Sequence, residues 1–402
     1  MSLFWDRKEQ TWVHNYSEES FTFGIEKLPV SFRNIQASSR YIPFQLSSQN
    51  NHLGPLVGIL CSKKNGQEVI GNGFLFRKLQ KHLLNNGSLS FIFTPDDIHE
   101  NLIEGNLYLP QNDTWIKVKT PFPDVIYNRI SLRKTEKDIF NNLMMNTFAD
   151  KGIPFFNPCF IDKYDLTTIF QEDPQLRPFL PATIPLEERM ILADFLEEHR
   201  TIYLKPCLSS KGKGIYRLHL ASDKQIQVYS IDNSYIFQNY DSFWEWWKTS
   251  TQATKTYIVQ KAIKFATFEG NRFDFRVLCH FDEGIYKVTG VGIRISKSQN
   301  VTTHLPNGGT YISYQLLQTK EHDQFINTIT PLIGKALTNR YGFFGEFSID
   351  AGISTSGDYY VYEVNSKPMS FEEEHIEENK LIKLCKLFYY CSHLNGQQNE
   401  PL

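Results

Sequence analysis

Two acids near the end of the chain, Asp350 and Glu363, with Asn365 two residues beyond the second, restrict the fold more than any other feature. Between them Ala351–Tyr362 carries a polar, glycine-containing stretch (Gly352, Ser354, Thr355, Ser356, Gly357, Asp358) flanked by apolar alternation. This pattern predicts a β-hairpin whose two strands bring their acids to the same end. In Tyr359–Asn365 the period of two sets Glu363 and Asn365 on one face and Val364 on the other. Two carboxylates and an amide oxygen are hard donors suited to Mg²⁺, and nucleotide phosphates can complete such a shell. Standing alone, the same residues also describe a surface hairpin with ordinary solvated acids.

The rest of the sequence must decide between these readings. With 402 residues the chain exceeds one typical core and predicts two to three domains or subdomains. A hydrophobic content of 41% with 21% charged residues is that of an ordinary globular protein, and 31 Phe and 20 Tyr predict an aromatic-rich core. A net charge of −2 argues against nucleic acid as the main partner. Nothing approaches the run of about 18 apolar residues that a membrane span needs, and Met1–Lys8 lacks the apolar centre of a signal peptide. The six cysteines (Cys61, Cys159, Cys207, Cys279, Cys385, Cys391) show neither zinc nor disulfide spacing and read as small buried hydrophobes. A soluble cytosolic protein is expected.

Along the chain, residues 1–52 hold short alternating runs such as Phe21–Ile25 and read as a β-rich N-terminal extension. From Leu56 the texture changes: strand signals at Val57–Leu60, Ser90–Phe93 and Asp124–Tyr127, with helical spacing at Phe74–Leu84, predict a parallel α/β unit. Asn128 and Arg129 fall at a strand's carboxyl end. Prolines then punctuate a connection around Lys163, and Glu187–His199 has the spacing of a helix. Tyr240–Trp247 clusters Phe243, Trp244, Trp246 and Trp247 at helical spacing, which favours core packing over ligand stacking. Leu381–Tyr389 reads as a packing helix.

Three further clusters carry chemistry. In Tyr203–Leu218 an apolar strand ends in Lys205, and a loop with Ser209, Ser210, Lys211, Gly212, Lys213 and Gly214 leads into a returning strand. Glycines let backbone N–H groups approach phosphate oxygens and the lysines supply charge, yet the loop enters a strand, so this is no Walker A motif. Tyr257–Ile263 is an apolar strand running into a linker (Gln260, Lys261, Ala262, Ile263) whose backbone suits a purine edge, and alternation then sets Asp274 and Arg276 on one face of the next strand. There Asp274 suits ribose hydroxyls and Arg276 a phosphate. Gly290–Arg294 precedes His304 and the turn Asn307-Gly308-Gly309; Arg294 suits an acyl phosphate or a substrate carboxylate, while a lone histidine near a turn is usually no base.

In this order, Lys163, Lys205 with its glycine loop, Gln260–Ile263, Asp274/Arg276, Arg294, Asp350, Glu363 and Asn365 resemble the ATP-grasp superfamily over about residues 55–390. The thirteen-residue step from Asp350 to Glu363 is like that of D-alanine:D-alanine ligases, and Phe273–Arg276 with Asn307–Gly309 looks like the RimK-like glutamate ligases. The nearest resemblance is to the YheC/YheD-like group of spore-forming Firmicutes, described as endospore coat-associated. It rests on Lys205-Pro206, Gly212–Ile215, Arg272–Val277, Gly292–Arg294, the Asn-Gly-Gly turn and Glu363–Pro368. Gln260 departs from the linker acid common elsewhere, and His304 from the Asn of glutamate-ligase relatives.

The resemblance implies an α+β, α/β ATP-grasp fold. Its expected parts are the β-rich extension (1–52), a pre-ATP-grasp α/β domain (53–160), a small lobe with the glycine loop (161–262) and a large lobe with the metal site and C-terminal helix (263–402). It implies ATP with Mg²⁺, or Mn²⁺, as cofactors. Nucleotide would meet Lys163, Lys205, Ser210, Lys211, Gly212, Gly214, Gln260, Lys261, Ala262, Ile263 and Asp274. The metal would meet Asp350, Glu363 and Asn365, and Arg276, Arg294 and Lys205 would carry catalysis. The implied activity is ATP-dependent joining of a carboxylate to an amine or thiol, with small-molecule or peptide substrates and spore coat proteins as partners. A non-catalytic coat-associated protein and an ATP-grasp kinase are the alternatives.

Overall fold

The computed structural model describes residues 1–36, 38–64, 68–140, 143–208, 213–250, 256–296 and 309–392. Among these, four larger sheets follow one another along the chain, beside a two-stranded ribbon of Ser62–Lys64 and Glu68–Ile70. The first sheet has seven strands between Ser2 and Leu53. Its inward residues, among them Leu3, Trp12, Phe21 and Phe44, share one core with Leu60, Phe91 and Phe93 of the second sheet and with Phe122 in a connection between two of its strands. The Trp12 indole N–H donates to the Lys119 carbonyl at 2.8 Å, satisfying its polar atom inside that core. The expected extension is thus β-rich, and it is fused to its neighbour by shared apolar packing.

The second sheet runs, edge to edge, Thr114–Thr120, Ile103–Leu109, Leu89–Phe93, Leu56–Leu60, Val125–Asn128 and Phe155–Phe156. The last four pair in parallel, as the strand–helix–strand texture predicts. The first two add an antiparallel edge. Helix Gly73–Asn85, capped by the Asn72 side chain on the Leu75 amide, buries Leu75, Leu79 and Leu83 here. The C-terminal helix Glu374–Cys391 joins it through Leu384, Leu387 and Phe388 and is longer than the apolar spacing alone suggests.

The third sheet is antiparallel, in the order Thr183–Pro185, Tyr257–Lys261, Thr201–Pro206, Tyr216–Leu220, Ile226–Tyr229, Ser234–Phe237. Helices Arg189–His199 and Tyr240–Thr249 cover it, and Phe243 and Trp247 pack against Leu204, Leu218 and Val259. The tryptophan cluster is therefore core, as its spacing suggests.

The fourth sheet carries Gly309–Ser313, Ile285–Ser296, Asn271–Asp282, Glu346–Ile353 and Tyr359–Asn365, again antiparallel. One face (Phe275, Val277, Ile293, Ile349, Val364) is sealed by helix Lys320–Tyr341 through Phe325, Ile329, Ile333 and Leu337. A Cβ on Gly334 of this helix would lie 2.2 Å from the Tyr286 ring, so glycine permits the close approach. Helix Lys163–Glu172 puts Leu166, Ile169 and Phe170 into this same core, although the sequence groups it with the glycine-loop lobe. The opposite face of the sheet bears the polar residues.

Candidate active site

The acid hairpin forms as predicted, with a feature that periodicity alone conceals. From its turn the ladder pairs Ile353 with Tyr359, Gly352 with Tyr360 and Ala351 with Val361, then shifts so that Asp350 pairs with Glu363. Uninterrupted pairing would have set Asp350 opposite Tyr362 and turned Glu363 to the other face. The bulge at Tyr362 restores both acids to one face, with Asn365 opposite Ser348 one pleat further on. Tyr362 packs edge-on against Phe265 with centroids 5.3 Å apart, and a Cβ on Gly352 would stand 2.5 Å from its hydroxyl. Gly352 makes room for the bulged ring.

Register lines up the remaining charges. Gly292, Arg276, Asp350 and Glu363 form one row across four strands, and Arg294 stands opposite Asp274 in the adjacent row. Like charges directly opposite each other are destabilising in a sheet, so Asp350 and Glu363 need cations. Arg294 Nη2 lies 2.5 Å from Asp350 Oδ1, and Lys163 Nζ lies 2.8 Å from Glu363 Oε1. Burial works against the Arg294 charge, but Asp350 and Asp274 outweigh it and raise its pKa. Arg276, expected to be catalytic, spans the carbonyls of Met369 (3.1 Å) and Ser370 (3.3 Å), with its guanidinium 4.3 Å over Phe371. It holds the segment that leaves the acid hairpin.

Two other elements bring lysines to this face. Lys163 opens the helix whose N-cap is Asp162, and Lys205 ends the apolar part of Thr201–Pro206. Lys205 Nζ donates to Gln260 Oε1 at 2.5 Å, while Gln260 Nε2 donates to Thr183 Oγ1 at 3.0 Å. Both polar ends of the Gln260 side chain are thus committed to orienting Lys205. The amides of Lys261 and Ala262 donate to the carbonyls of Ala182 (2.8 Å) and Thr201 (3.0 Å), so these two expected linker residues have no N–H to offer a base. Burial depresses the Lys205 pKa to about 8, with Glu363 opposing and Lys163 adding to the fall.

The structure therefore brings Lys163, Lys205, Gln260, Asp274, Arg276, Arg294, Asp350, Glu363 and Asn365 to the strands and helix end just described. Gly214 ends the glycine loop at φ +77°, and its carbonyl accepts from the Tyr257 hydroxyl at 3.0 Å. Ser209, Ser210, Lys211 and Gly212 lie outside the described residues, as do His304, Asn307 and Gly308. The sequence assigned no role to Arg129 or Arg272. Arg129 reaches from the second sheet to the Pro368 carbonyl at 3.0 Å, and Arg272 stacks 4.0 Å over Phe265 with Nη2 at 3.6 Å from Asp274. A polar pair at the carboxyl end of a parallel strand, Asn128-Arg129, was the available signal for the first.

The donor set fits Mg²⁺. Two facing carboxylates with an amide on the same face provide hard oxygen ligands and leave coordination positions for phosphate or water. Among the described residues no three His, Cys, Asp or Glu side chains gather as a group that could hold a metal ion. No helix of the described residues is long and apolar enough to cross a membrane.

Comparison with known proteins places the fold and the family. The YheC/D-like ATP-grasp model matches residues 152–394. The endospore coat-associated protein YheD of Bacillus subtilis (strain 168) is 27% identical over 365 residues, covering 86% of this chain and 80% of the relative. YheC of the same strain is 23% identical, covering 77% and 88%. Among solved structures, D-alanyl-alanine synthetase A from Vibrio cholerae O1 biovar eltor superposes with a TM-score of 0.53 at 13% identity, covering 85% of this chain and 99% of that one. The last likeness speaks to the fold, and it is an ATP-grasp fold of mixed helix and sheet. With more than half of its residues matched by the family model, from the prolines before Lys163 to the C-terminal helix, the chain belongs to the YheC/D-like ATP-grasp family.

Proposed function

We propose that the protein is an ATP- and Mg²⁺-dependent ligase that joins a carboxylate to an amine, or to a thiol, through an acyl phosphate. The observation that carries this reading is the meeting of Lys163 with Glu363 at 2.8 Å beside the Arg294–Asp350 pair, cations from separate elements converging on two facing acids. In the proposed reaction a substrate carboxylate oxygen attacks the γ-phosphorus and the bond to ADP breaks. The amine then attacks the acyl carbon, phosphate leaves and the amine gives up its proton. Asp350, Glu363 and Asn365 would hold Mg²⁺, which would supply Lewis-acid neutralisation of phosphate oxygens. Lys163 and Lys205 hold phosphates, assisted by Lys211 and the backbone of Ser210, Gly212 and Gly214; Asp274 meets ribose, and Ile263 with the linker carbonyls meets adenine. Arg294 faces the acyl phosphate, and Arg276 fixes the segment beyond the metal strand. Such a site works by positioning and charge stabilisation more than by proton transfer.

The matching division of labour is an N-terminal β-rich part (1–52), a pre-ATP-grasp unit (53–160), a glycine-loop lobe (161–262) and a metal lobe (263–402). The two Bacillus relatives are named endospore coat-associated proteins, which supports the coat association in a second reading, a coat-associated protein that binds nucleotide without turnover. Incubation with ATP, Mg²⁺ and pools of amino acids, peptides and cell-wall precursors separates them. Acceptor-dependent release of ADP and phosphate is expected; a phosphorylated end product would make the protein a kinase, and silence across all pools would leave the binding reading.

Lys205 gives a second check. Its pKa of about 8 in the free protein should rise when phosphates arrive, because they stabilise the ammonium. Nucleotide binding near pH 8 should therefore take up as much as about half a proton. Calorimetric enthalpies measured in two buffers of different ionisation enthalpy read this uptake directly. Identical enthalpies would remove Lys205 from the phosphate contacts.

A further inference from the structure

Asn157 follows the last strand of the second sheet and is fully buried, at φ +58°, a conformation that Asn tolerates. Its side chain makes four hydrogen bonds to one place. Nδ2 donates to the carbonyls of Glu346 (3.0 Å) and Ser366 (2.6 Å), and Oδ1 accepts from the amides of Gly345 (2.9 Å) and Glu346 (3.2 Å). A side-chain amide has two donor hydrogens and two acceptor lone pairs, so its capacity is filled. Its backbone is held as well, by the Phe343 carbonyl at 3.0 Å and by Asn128 Nδ2 at 3.0 Å.

The bonded groups belong to the two acid strands. Glu346 begins the strand that carries Asp350, and Ser366 follows the strand that carries Glu363 and Asn365. One side chain thus clips the two strands together at the open end of the hairpin, just past the Ser348–Asn365 pair. That is where fixing matters. The hairpin contains a bulge, and a regular ladder without it would send Asp350 and Glu363 to opposite faces. The turn is distant from the open end, and the Asn157 clip lies on the acids' far side from it.

We propose that Asn157 is a positioning residue for the metal-binding strands, holding the register in which Asp350, Glu363 and Asn365 share a face. This rests on the reading that those three residues bind Mg²⁺. It makes the end of the second sheet a working part of a site whose ligands all lie about 190 to 210 residues later in the chain.

The test is binding of Mn²⁺, observed by electron paramagnetic resonance, to the full chain in the presence of a non-hydrolysable ATP analogue. Asn157→Asp keeps shape and acceptors but removes both donors; Asn157→Gly keeps the backbone conformation and removes the whole clip. Each should weaken Mn²⁺ about 10–100-fold, the usual effect of losing an outer-shell partner. Tyr127→Phe removes a hydroxyl bonded to the Glu346 side chain and leaves the clip intact. It should lower the melting temperature yet bind Mn²⁺ like the wild type. Wild-type Mn²⁺ affinity in either folded Asn157 variant would overturn the proposal while leaving the metal assignment standing. A wild type that fails to bind Mn²⁺ with the analogue would overturn both.

Discussion

Glu363→Gln should weaken Mg²⁺–ATP binding by at least about 100-fold, the upper end of what losing a mere outer-shell partner costs. The amide that replaces the carboxylate carries no charge to offer the metal, and it also releases Lys163, now 2.8 Å from Glu363 Oε1. The fold should survive. The Glu363 side chain is one-third exposed, so its ion pair contributes little to stability, and removing its charge relieves repulsion from Asp350 across the ladder. Titration calorimetry with a non-hydrolysable ATP analogue measures the affinity, and circular dichroism confirms the fold. An affinity within twofold of wild type would take Glu363 out of the metal site.

That experiment bears on a hairpin that was only half legible. The alternation in Tyr359–Asn365 and the Gly/Ser stretch marked two strands and a turn, and the acids do end on one face. Yet with the five-residue connection 354–358, a regular ladder would have put Asp350 and Glu363, thirteen residues apart, on opposite faces. The bulge at Tyr362 reconciles the two, and it depends on space for an aromatic ring between Phe265 and Gly352, a tertiary fact. Helix Lys320–Tyr341 was hidden for a local reason. Pro331 in its middle reads as a break, while the buried row Phe325, Ile329, Ile333 and Leu337 holds it against the sheet. Asn157 was illegible because its partner Ser366 lies some 200 positions away and no short-range period encodes a contact of that span, while Arg129 showed only its place at a strand end and not its similarly distant partner, Pro368.

Gln260 shows a different limit. Its place at the strand end suggested contact with adenine, whereas its side chain ties Lys205 to Thr183. The direction of the side chain is set by neighbours on adjoining strands, which position along the chain does not reveal. The same holds for Arg276, whose guanidinium is fixed on the carbonyls of Met369 and Ser370.

Glu346→Gln should have the largest effect on stability of any single substitution at the junction between the second and fourth sheets. Glu346 is fully buried; its Oε1 accepts from Arg129 at 2.8 Å and from the Tyr127 hydroxyl, and its Oε2 lies 3.5 Å from His280 and 3.9 Å from Lys380. Replacing its carboxylate with an amide takes away the anion that Arg129 and Lys380 share and leaves Lys380 only the Glu377 charge, at a cost of about 3–5 kcal/mol. Burial alone would raise the Glu346 pKa, but Lys380, His280 and Arg129 together outweigh it and hold the value at about 2. A depressed folded-state value means that this stabilisation is complete above the unfolded value of about 4.3 and disappears as pH falls through the folded one. The wild type should therefore melt several degrees above the variant at pH 7, and the gap should close as pH is lowered from 5 toward 2. Because the other carboxylates titrate alike in both proteins, the difference between their melting curves isolates this site. A gap that stayed constant over that range would show that Glu346 contributes by shape, and that its charge does not hold the junction together.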